Sequence, residues 1–232
     1  MADKVTHYAV DIESFGTPER SGYDIIIPNY AIVLIPTNPM KDISRYAYVK
    51  LPFQKQIDAG LKVDAGSMNF WMNMCQNDHK GAYEEVVSTL TLTEPEIISG
   101  SQNNLYKTKN VLDLWNALRY DLNGNENNIE IWGNGCHFDC SILQANHRKM
   151  FGVGELWKYN APQNARSVKN RLTEDEKFDM DSIVDVQLKK FVEMVADHGL
   201  YGLELHHPLF DAAREAIQVS YCLNAINERG NY

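Results

Sequence analysis

The run Val5-Thr-His-Tyr-Ala-Val-Asp-Ile12 alternates in polarity, carries β-branched and aromatic residues, and ends beside two carboxylates, Asp11 and Glu13. The pattern predicts a β-strand. Alternate residues of a strand point to the same face, so Asp-x-Glu sets two acids side by side. Two adjacent carboxylates on a buried face repel each other and are costly to desolvate unless a cation or hydrogen-bond donors compensate them. Any fold that uses this strand has to meet that charge, and a bound divalent metal ion is the direct way to do so.

Length and composition bound the alternatives. With 232 residues the chain can form one substantial α/β core, and a single domain over 1–232 is expected. The 44% hydrophobic and 23% charged content is that of an ordinary soluble globular protein. No window approaches the run of about 18 apolar residues that a membrane span needs. Met1-Ala2-Asp3-Lys4 does not resemble the basic start of a signal peptide, so a cytoplasmic protein is expected. The four cysteines, Cys75, Cys136, Cys140 and Cys222, are too few and too irregularly spaced for a disulfide framework. A formal net charge of -9 argues against holding duplex nucleic acid mainly by phosphate neutralisation. It leaves room for a nuclease, because metal ions reverse the local sign of an acidic site.

Tyr30 to Ile35 and Tyr46 to Leu51 read as two further strands, with Pro36, Asn38 and Pro39 marking the turn between them. Three strands with short polar connections predict an antiparallel meander. Ser67 to Cys75, with Met68, Trp71, Met72 and Cys75, and Val111 to Leu122, with Leu112, Trp115, Leu118 and Leu122, have the spacing of helix faces. Ile129 to Trp132 reads as a strand that ends at Gly133-Asn134-Gly135, followed by a helix over Asp139 to Met150. The polar stretch 160–181 reads as a long surface excursion. Ile183 to Val195 is helical, and a last helix starts near Pro208 and runs to about Ile226.

Asp139 and the pair His206 and Asp211 follow Asp11 and Glu13 at widely separated places, and four carboxylates with one histidine suggest a two-metal nuclease. The motifs Asp11-Ile12-Glu13, Phe138-Asp139 with Ile142-Leu143, and His206-His207-Pro208-Leu209-Phe210-Asp211-Ala212 resemble the three motifs of the DEDD superfamily of 3'-5' exonucleases. The His-x4-Asp spacing of the last is that of the DEDDh subclass. Phe70-Trp71 and the Trp157 to Arg166-Ser167 segment are similar to phage exonuclease A (DexA)-like and other short exoribonuclease-like proteins.

The resemblance implies a ribonuclease H-like α/β fold, a mixed central β-sheet flanked by helices. It implies two Mg²⁺ or Mn²⁺ ions, with Asp11, Glu13 and Asp211 around the catalytic ion, Asp11 bridging to the second, and Asp139 completing the cluster. Hard oxygen ligands suit those ions. His206 would be the general base, with His207 as the alternative. The helix terminus that follows disfavours its cationic form and the nearby acids favour it. A homodimer is expected from the habit of the subclass, and a phage or bacterial host cytoplasm from the closer resemblance. Two positions depart from the pattern. Gly135 stands where an asparagine often precedes the second-motif aspartate, and Asn164-Ala165-Arg166-Ser167 stands where DexA-like proteins tend to have Asp-x-Arg-Thr.

Single-stranded 3' ends are usually held by aromatic stacking and a few cations. Phe15 is placed to wedge against a terminal base or else to pack, and backbone groups from Glu13 to Gly16 can meet the terminal sugar. Trp71 is core or a base contact. Arg166, with Lys158, Lys169 and Arg171, forms the clearest basic cluster. Cys136, His137 and Cys140 lack the second ligand pair of a structural zinc site. The leading expectation is hydrolysis of single-stranded RNA or DNA from the 3' end to 5'-mononucleotides. A nucleic-acid-binding module without activity and a metal phosphohydrolase of nucleotides are the alternatives.

Overall fold

The protein was analysed as a computed structural model that describes residues 5–101, 104–120 and 125–230. Its centre is a sheet of seven strands: β1 (Thr6–Ile12), β2 (Asn29–Leu34), β3 (Arg45–Lys50), β4 (Glu96–Ser101), β5 (Asn104–Thr108), β6 (Ile129–Gly133) and β7 (Pro162–Asn164). The spatial order is β5-β4-β3-β2-β1-β6-β7. The first five strands form an antiparallel meander, and β6 lies parallel to β1 with β7 parallel to β6. The expected mixed α/β sheet is therefore present, and β1 is paired on both sides, with Asp11 opposite Ala31.

Ten α-helical segments flank it among the described residues: α1 (Pro18–Ser21), α2 (Phe53–Asp58), α3 (Ala65–Asn69), α4 (Gln76–Asp78), α5 (Lys80–Ser88), α6 (Val111–Arg119), α7 (Asp139–Phe151), α8 (Ala165–Lys169), α9 (Glu174–Asp197) and α10 (Pro208–Gly230). A π-helical turn, Phe70–Cys75, joins α3 to α4. The strand pleat sorts β1 between two cores. Tyr8, Val10 and Ile12 pack with Trp115, Leu118, Ile142 and Leu143 of α6 and α7. Ala9 packs on the other face with Leu209, Ala212, Ala213 and Ala216 of α10 and Val184, Leu188 and Phe191 of α9. Asp11 and Glu13 continue the Ala9 face, so the acids of β1 turn toward α10.

Three parts of the sequence reading change. The stretch 160–181 is no surface excursion: it holds β7, α8 and the start of α9, and Ala165, Leu172 and Met180 are buried. Its polar residues mark a helix start. Thr173 accepts the Glu176 backbone N–H at 3.2 Å, and the Glu176 carboxylate accepts the Thr173 N–H at 2.7 Å, a reciprocal capping box that opens a 24-residue helix. Strands β4 and β5 and helix α5 carry too little periodicity to be read in advance; β4 is Glu-Ile-Ile-Ser-Gly-Ser, where the small residues break the alternation. The helix over Ser67 to Cys75 is interrupted by the π turn, with Trp71 buried and Met68 and Met72 half-buried. The side chain of Cys75, and all of Leu122, lie outside the described residues.

Beneath β2, the His147 ring is fully buried between Trp115 and Phe151, with its Nε2 3.0 Å from the Tyr30 hydroxyl oxygen. Burial without a counter-charge pushes its pKa down to about 3. Because the unfolded chain protonates this residue near 6.5 and the folded protein does not, stability falls as the pH drops below that value. Urea unfolding measured across that range should show a loss of up to about 1.4 kcal/mol per pH unit from this residue. His147→Gln, which keeps a polar partner for Tyr30, should flatten the slope by that amount; an unchanged slope would show that His147 does not titrate with unfolding.

Candidate active site

Three backbone elements bring the acids together. Strand β1 delivers Asp11, and its pairing with β2 extends past the strand end, since the Glu13 N–H donates to the Asn29 carbonyl at 3.0 Å. Strand β6 ends at Gly133, and α7 starts at Asp139. A Cβ on Gly133 would lie 2.9 Å from Asp139 Oδ2, so glycine lets the acid fold back against the strand end. The same Oδ2 accepts the Gly135 N–H at 3.2 Å. Helix α10 delivers Asp211 from its first turn, where Oδ2 accepts the His206 N–H at 2.8 Å.

His206 occupies the left-handed region with φ 67°, the only non-glycine residue among those described to do so. That conformation is uncommon for a residue with a Cβ, and it persists where surrounding contacts enforce it. Here the neighbouring His207 is buried and its Nδ1 accepts the Leu209 N–H at 3.2 Å, capping the helix. His207 also lies against Tyr48, with ring centroids 4.9 Å apart. The two histidines therefore divide: His207 is a buried cap with its pKa pushed down to about 4, and His206 faces the acids. Ligand atoms of Glu13, His206 and Asp211 all lie within 4.8 Å of one another.

Asp11, Glu13, Asp139, His206 and Asp211 line one cleft of about 610 Å³. A second groove of about 600 Å³ meets it at Ile12, Glu13, Phe138 and His206 and runs along Ser14, Gly16, Phe70 and Trp71. The acids are thus at a junction. Burial, with the charges of Glu13, Asp139, Asp211 and Glu215, pushes the Asp11 carboxyl well above the ordinary range. Burial, then Asp211 and Asp139, does the same to Glu13. Burial carries Asp139 up to about 7 against the Gly135 hydrogen bond, and Asp211 up to about 6 against the His206 N–H. A cluster of oxygen donors that cannot all ionise without a cation fits a divalent metal such as Mg²⁺ or Mn²⁺. His206 is pushed below its ordinary value by burial and by His79, whose ring centroid is 4.8 Å away, so the balance expected between helix terminus and acids tips toward the neutral ring.

Two residues join the site that the sequence motifs do not contain. Glu215, one turn after Asp211 on α10, is a fifth carboxylate in the cleft and is itself buried. Lys169 holds it at 2.9 Å and also donates to Asn134 Oδ1 at 3.0 Å and Gln218 Oε1 at 3.2 Å. The i, i+4 spacing of Asp211 and Glu215 was a visible signal, since such residues share a helix face. Lys169 belongs to the basic cluster read from the sequence, but its inward ion pair was hidden by reading 160–181 as loop. Arg166 and Arg214 also line the cleft, both exposed.

Of the two readings open for Phe15 and for Trp71, the structure takes packing for both. Phe15 cannot wedge against a base: it is 0% exposed and packs edge-on to Phe53 and Trp71 at 5.4 and 6.5 Å. Trp71 is 1% exposed, and its indole N–H donates to the Ser14 carbonyl at 3.2 Å, so it supports the loop after Glu13 from below. The half-buried Phe70 and Phe138 are the aromatic rings at the groove. Gly16 lines the groove, and its loop is tied to α3 where the Asp64 carboxylate accepts the Thr17 N–H at 3.1 Å.

Residues 6–223 match the family model of the Rv2179c-like 3'-5' exoribonuclease domain. The chain belongs to that family. The match runs from the start of β1 into α10 and so takes in every acid of the cleft. No curated protein matches the chain. Among the described residues, no helix is long and apolar enough to cross a membrane.

Metal should stabilise this protein in a pH-dependent way. The folded acids hold protons up to about pH 6 to 7, which the unfolded chain releases near about pH 4, so in metal-free protein their contribution to stability falls as the pH rises through that window. Metal competes with those protons. The rise in Tm on adding Mg²⁺ or Mn²⁺ should therefore be small at about pH 5 and grow toward about pH 7.5. Comparing with and without metal at each pH cancels the opposite trend from His147 and His207. A Tm increment independent of pH, or none at all, would overturn the metal assignment.

Proposed function

We propose that this family member is a metal-dependent 3'-5' exonuclease of the DEDDh type that removes 5'-mononucleotides from single-stranded RNA, and from DNA if the sugar is not discriminated. The observation that carries the reading is the meeting of Glu13, His206 and Asp211, with Asp11 and Asp139, at the junction of two grooves. A chain end enters such a junction with its last nucleoside in one groove and the rest of the strand in the other. The Gly16 and Phe70 groove suits the terminal nucleoside, offering backbone to the sugar and a ring face to the base. The acidic cleft, edged by Arg166 and Arg214, suits the phosphates upstream.

Asp11, Glu13, Asp139 and Asp211 would hold the divalent ions. When bound, these ions activate the attacking water and neutralise the developing charge. The protein's own share is positioning and proton transfer. His206, kept neutral, accepts the water proton on a ring nitrogen as the new P–O bond forms. The bond from phosphorus to the upstream 3' oxygen breaks, that oxygen takes a proton from solvent to become the new 3'-hydroxyl, and the terminal nucleotide leaves with its 5'-phosphate. The left-handed backbone of His206 and its N–H bond to Asp211 fix the base relative to a metal-holding acid.

With Mg²⁺ or Mn²⁺, 5'-labelled single-stranded RNA and DNA of matched sequence should give a descending ladder, and the two rates report the sugar preference. His206→Ala should lower kcat by about 10²- to 10⁴-fold. Asp11→Ala should abolish turnover while leaving the protein folded. Arg166→Ala and Arg214→Ala should each weaken binding and reduce the steepness of its salt dependence by about 0.7 in log-log slope, the loss of one phosphate contact on a single strand. Cleavage confined to mononucleotides would support a phosphohydrolase instead, and a wild-type protein that leaves every substrate intact across the metal series would overturn the enzyme reading.

A further inference from the structure

The His206 loop, residues 199–207, is held from outside the acid cluster. Glu204 projects onto the first turn of α5, where its Oε1 accepts the Gly81 N–H at 2.6 Å and the Ala82 N–H at 3.3 Å. A carboxylate there satisfies orphan amides and meets the positive end of the helix. The backbones touch at the same place: a Cβ on Gly81 would overlap the carbonyl oxygen of Gly202, which itself takes the left-handed φ of 71°. The loop and α5 therefore dock through one carboxylate and one glycine-to-glycine contact.

That docking reaches the imidazole through the residues flanking α5. His79, at the N-cap position of α5, meets the His206 ring edge-on at 4.8 Å, and Phe70 from the π turn meets it at 5.3 Å. Further along α5, Glu85 accepts the Tyr48 hydroxyl at 2.8 Å, and Tyr48 packs on His207. Both histidines at the head of α10 are thus braced by α5 or by residues leading into it, although α5 supplies nothing to the acid cluster.

We propose that Glu204 is a positioning residue: by tying the 199–207 loop to the N-terminus of α5, it fixes the His206 imidazole at the angle and distance needed to act on the attacking water. The inference rests on the proposed role of His206 as general base. Its scale follows from the sensitivity of such groups to placement, where a displacement of about 1 Å can cost about 100-fold in rate. Glutamine offers the same oxygen to the two amides, whereas alanine offers none.

The test compares wild type, Glu204→Ala, Glu204→Gln and Gly81→Ala in two measurements. Steady-state cleavage of a single-stranded RNA oligomer should show Glu204→Ala lowering kcat about 10- to 100-fold with KM nearly unchanged, and Glu204→Gln within about 3-fold of wild type. Gly81→Ala should behave like Glu204→Ala, and the variant carrying both changes should be no less active than the less active single one, because each change undoes the same docking. Imidazole NMR signals read the same event without catalysis: His206 should shift or broaden in Glu204→Ala and Gly81→Ala while buried His147 stays in place, which also shows that the fold survives. A kcat unaffected by Glu204→Ala, effects of the two single variants that multiply, or an unmoved His206 signal would each overturn the proposal. If wild type cleaves no oligomer, the nuclease reading fails, and the NMR comparison still decides whether Glu204 positions His206.

Discussion

Everything around the cleft answers one electrostatic problem, the gathering of carboxylates that water would keep apart. Asp11 and Glu13 arrive on one strand face, Asp139 folds back over the end of β6, and Asp211 and Glu215 come from the α10 turn that packs on the same face. The protein neutralises only one of the five by an internal lysine, at Glu215. Asp139 and Asp211 also feel the nearby guanidinium groups of Arg166 and Arg214, and the rest of the charge is left to backbone N–H groups, to protons, or to a bound cation. The proposed divalent metal would complete a site left electrostatically unfinished in this way, and because it would compete with protons its binding would be linked to pH and to stability.

The sheet topology explains why the demand is met by parts so distant in sequence. Strand β1 pairs antiparallel with β2 and parallel with β6, so its C-terminal end lies beside the end of β6 where α7 begins. Helix α10 crosses the Ala9 face because Leu209, Ala212, Ala213 and Ala216 form its buried stripe, and the same helical phase turns Asp211 and Glu215 into the cleft. Packing and chemistry thus use adjacent strips of one helix, which makes the acid geometry a consequence of core burial.

The strand and helix carriers of the motifs were legible because their periodicity is strong: β1, β2, β3, β6, α7 and the start of α10 fall where the pattern places them. Where polar residues serve as structure the pattern misleads. Thr173 to Glu176 reads as loop and forms a capping box, and Ser99 and Gly100, which interrupt the apolar alternation, sit in a strand. The acid set was visible through spacing and residue type. The ring contacts were not, because whether an aromatic side chain at a given position faces a groove or the core depends on loops far away in sequence. Phe15 adjoins Glu13 in the chain, yet it turns under Phe53 and Trp71, and Phe70 takes the position at the groove. The His-x4-Asp spacing favours His206 over its neighbour, but the left-handed backbone that parts the two histidines is one that no residue-type rule predicts.

Lys169 spans three acceptors on two elements, Asn134 in the β6 to α7 loop and Glu215 and Gln218 on α10, while itself ending α8. All three of its ammonium hydrogens are committed inside the protein, and the helix it ends carries Arg166 while the helix it grips carries Arg214. The backbones that carry those two guanidinium groups are therefore tied together by an internal ion pair, as the jaws of a caliper are joined by its screw. A strand bound there, as proposed, would meet a frame set beforehand, with only the two exposed arginine side chains left to order when phosphate arrives.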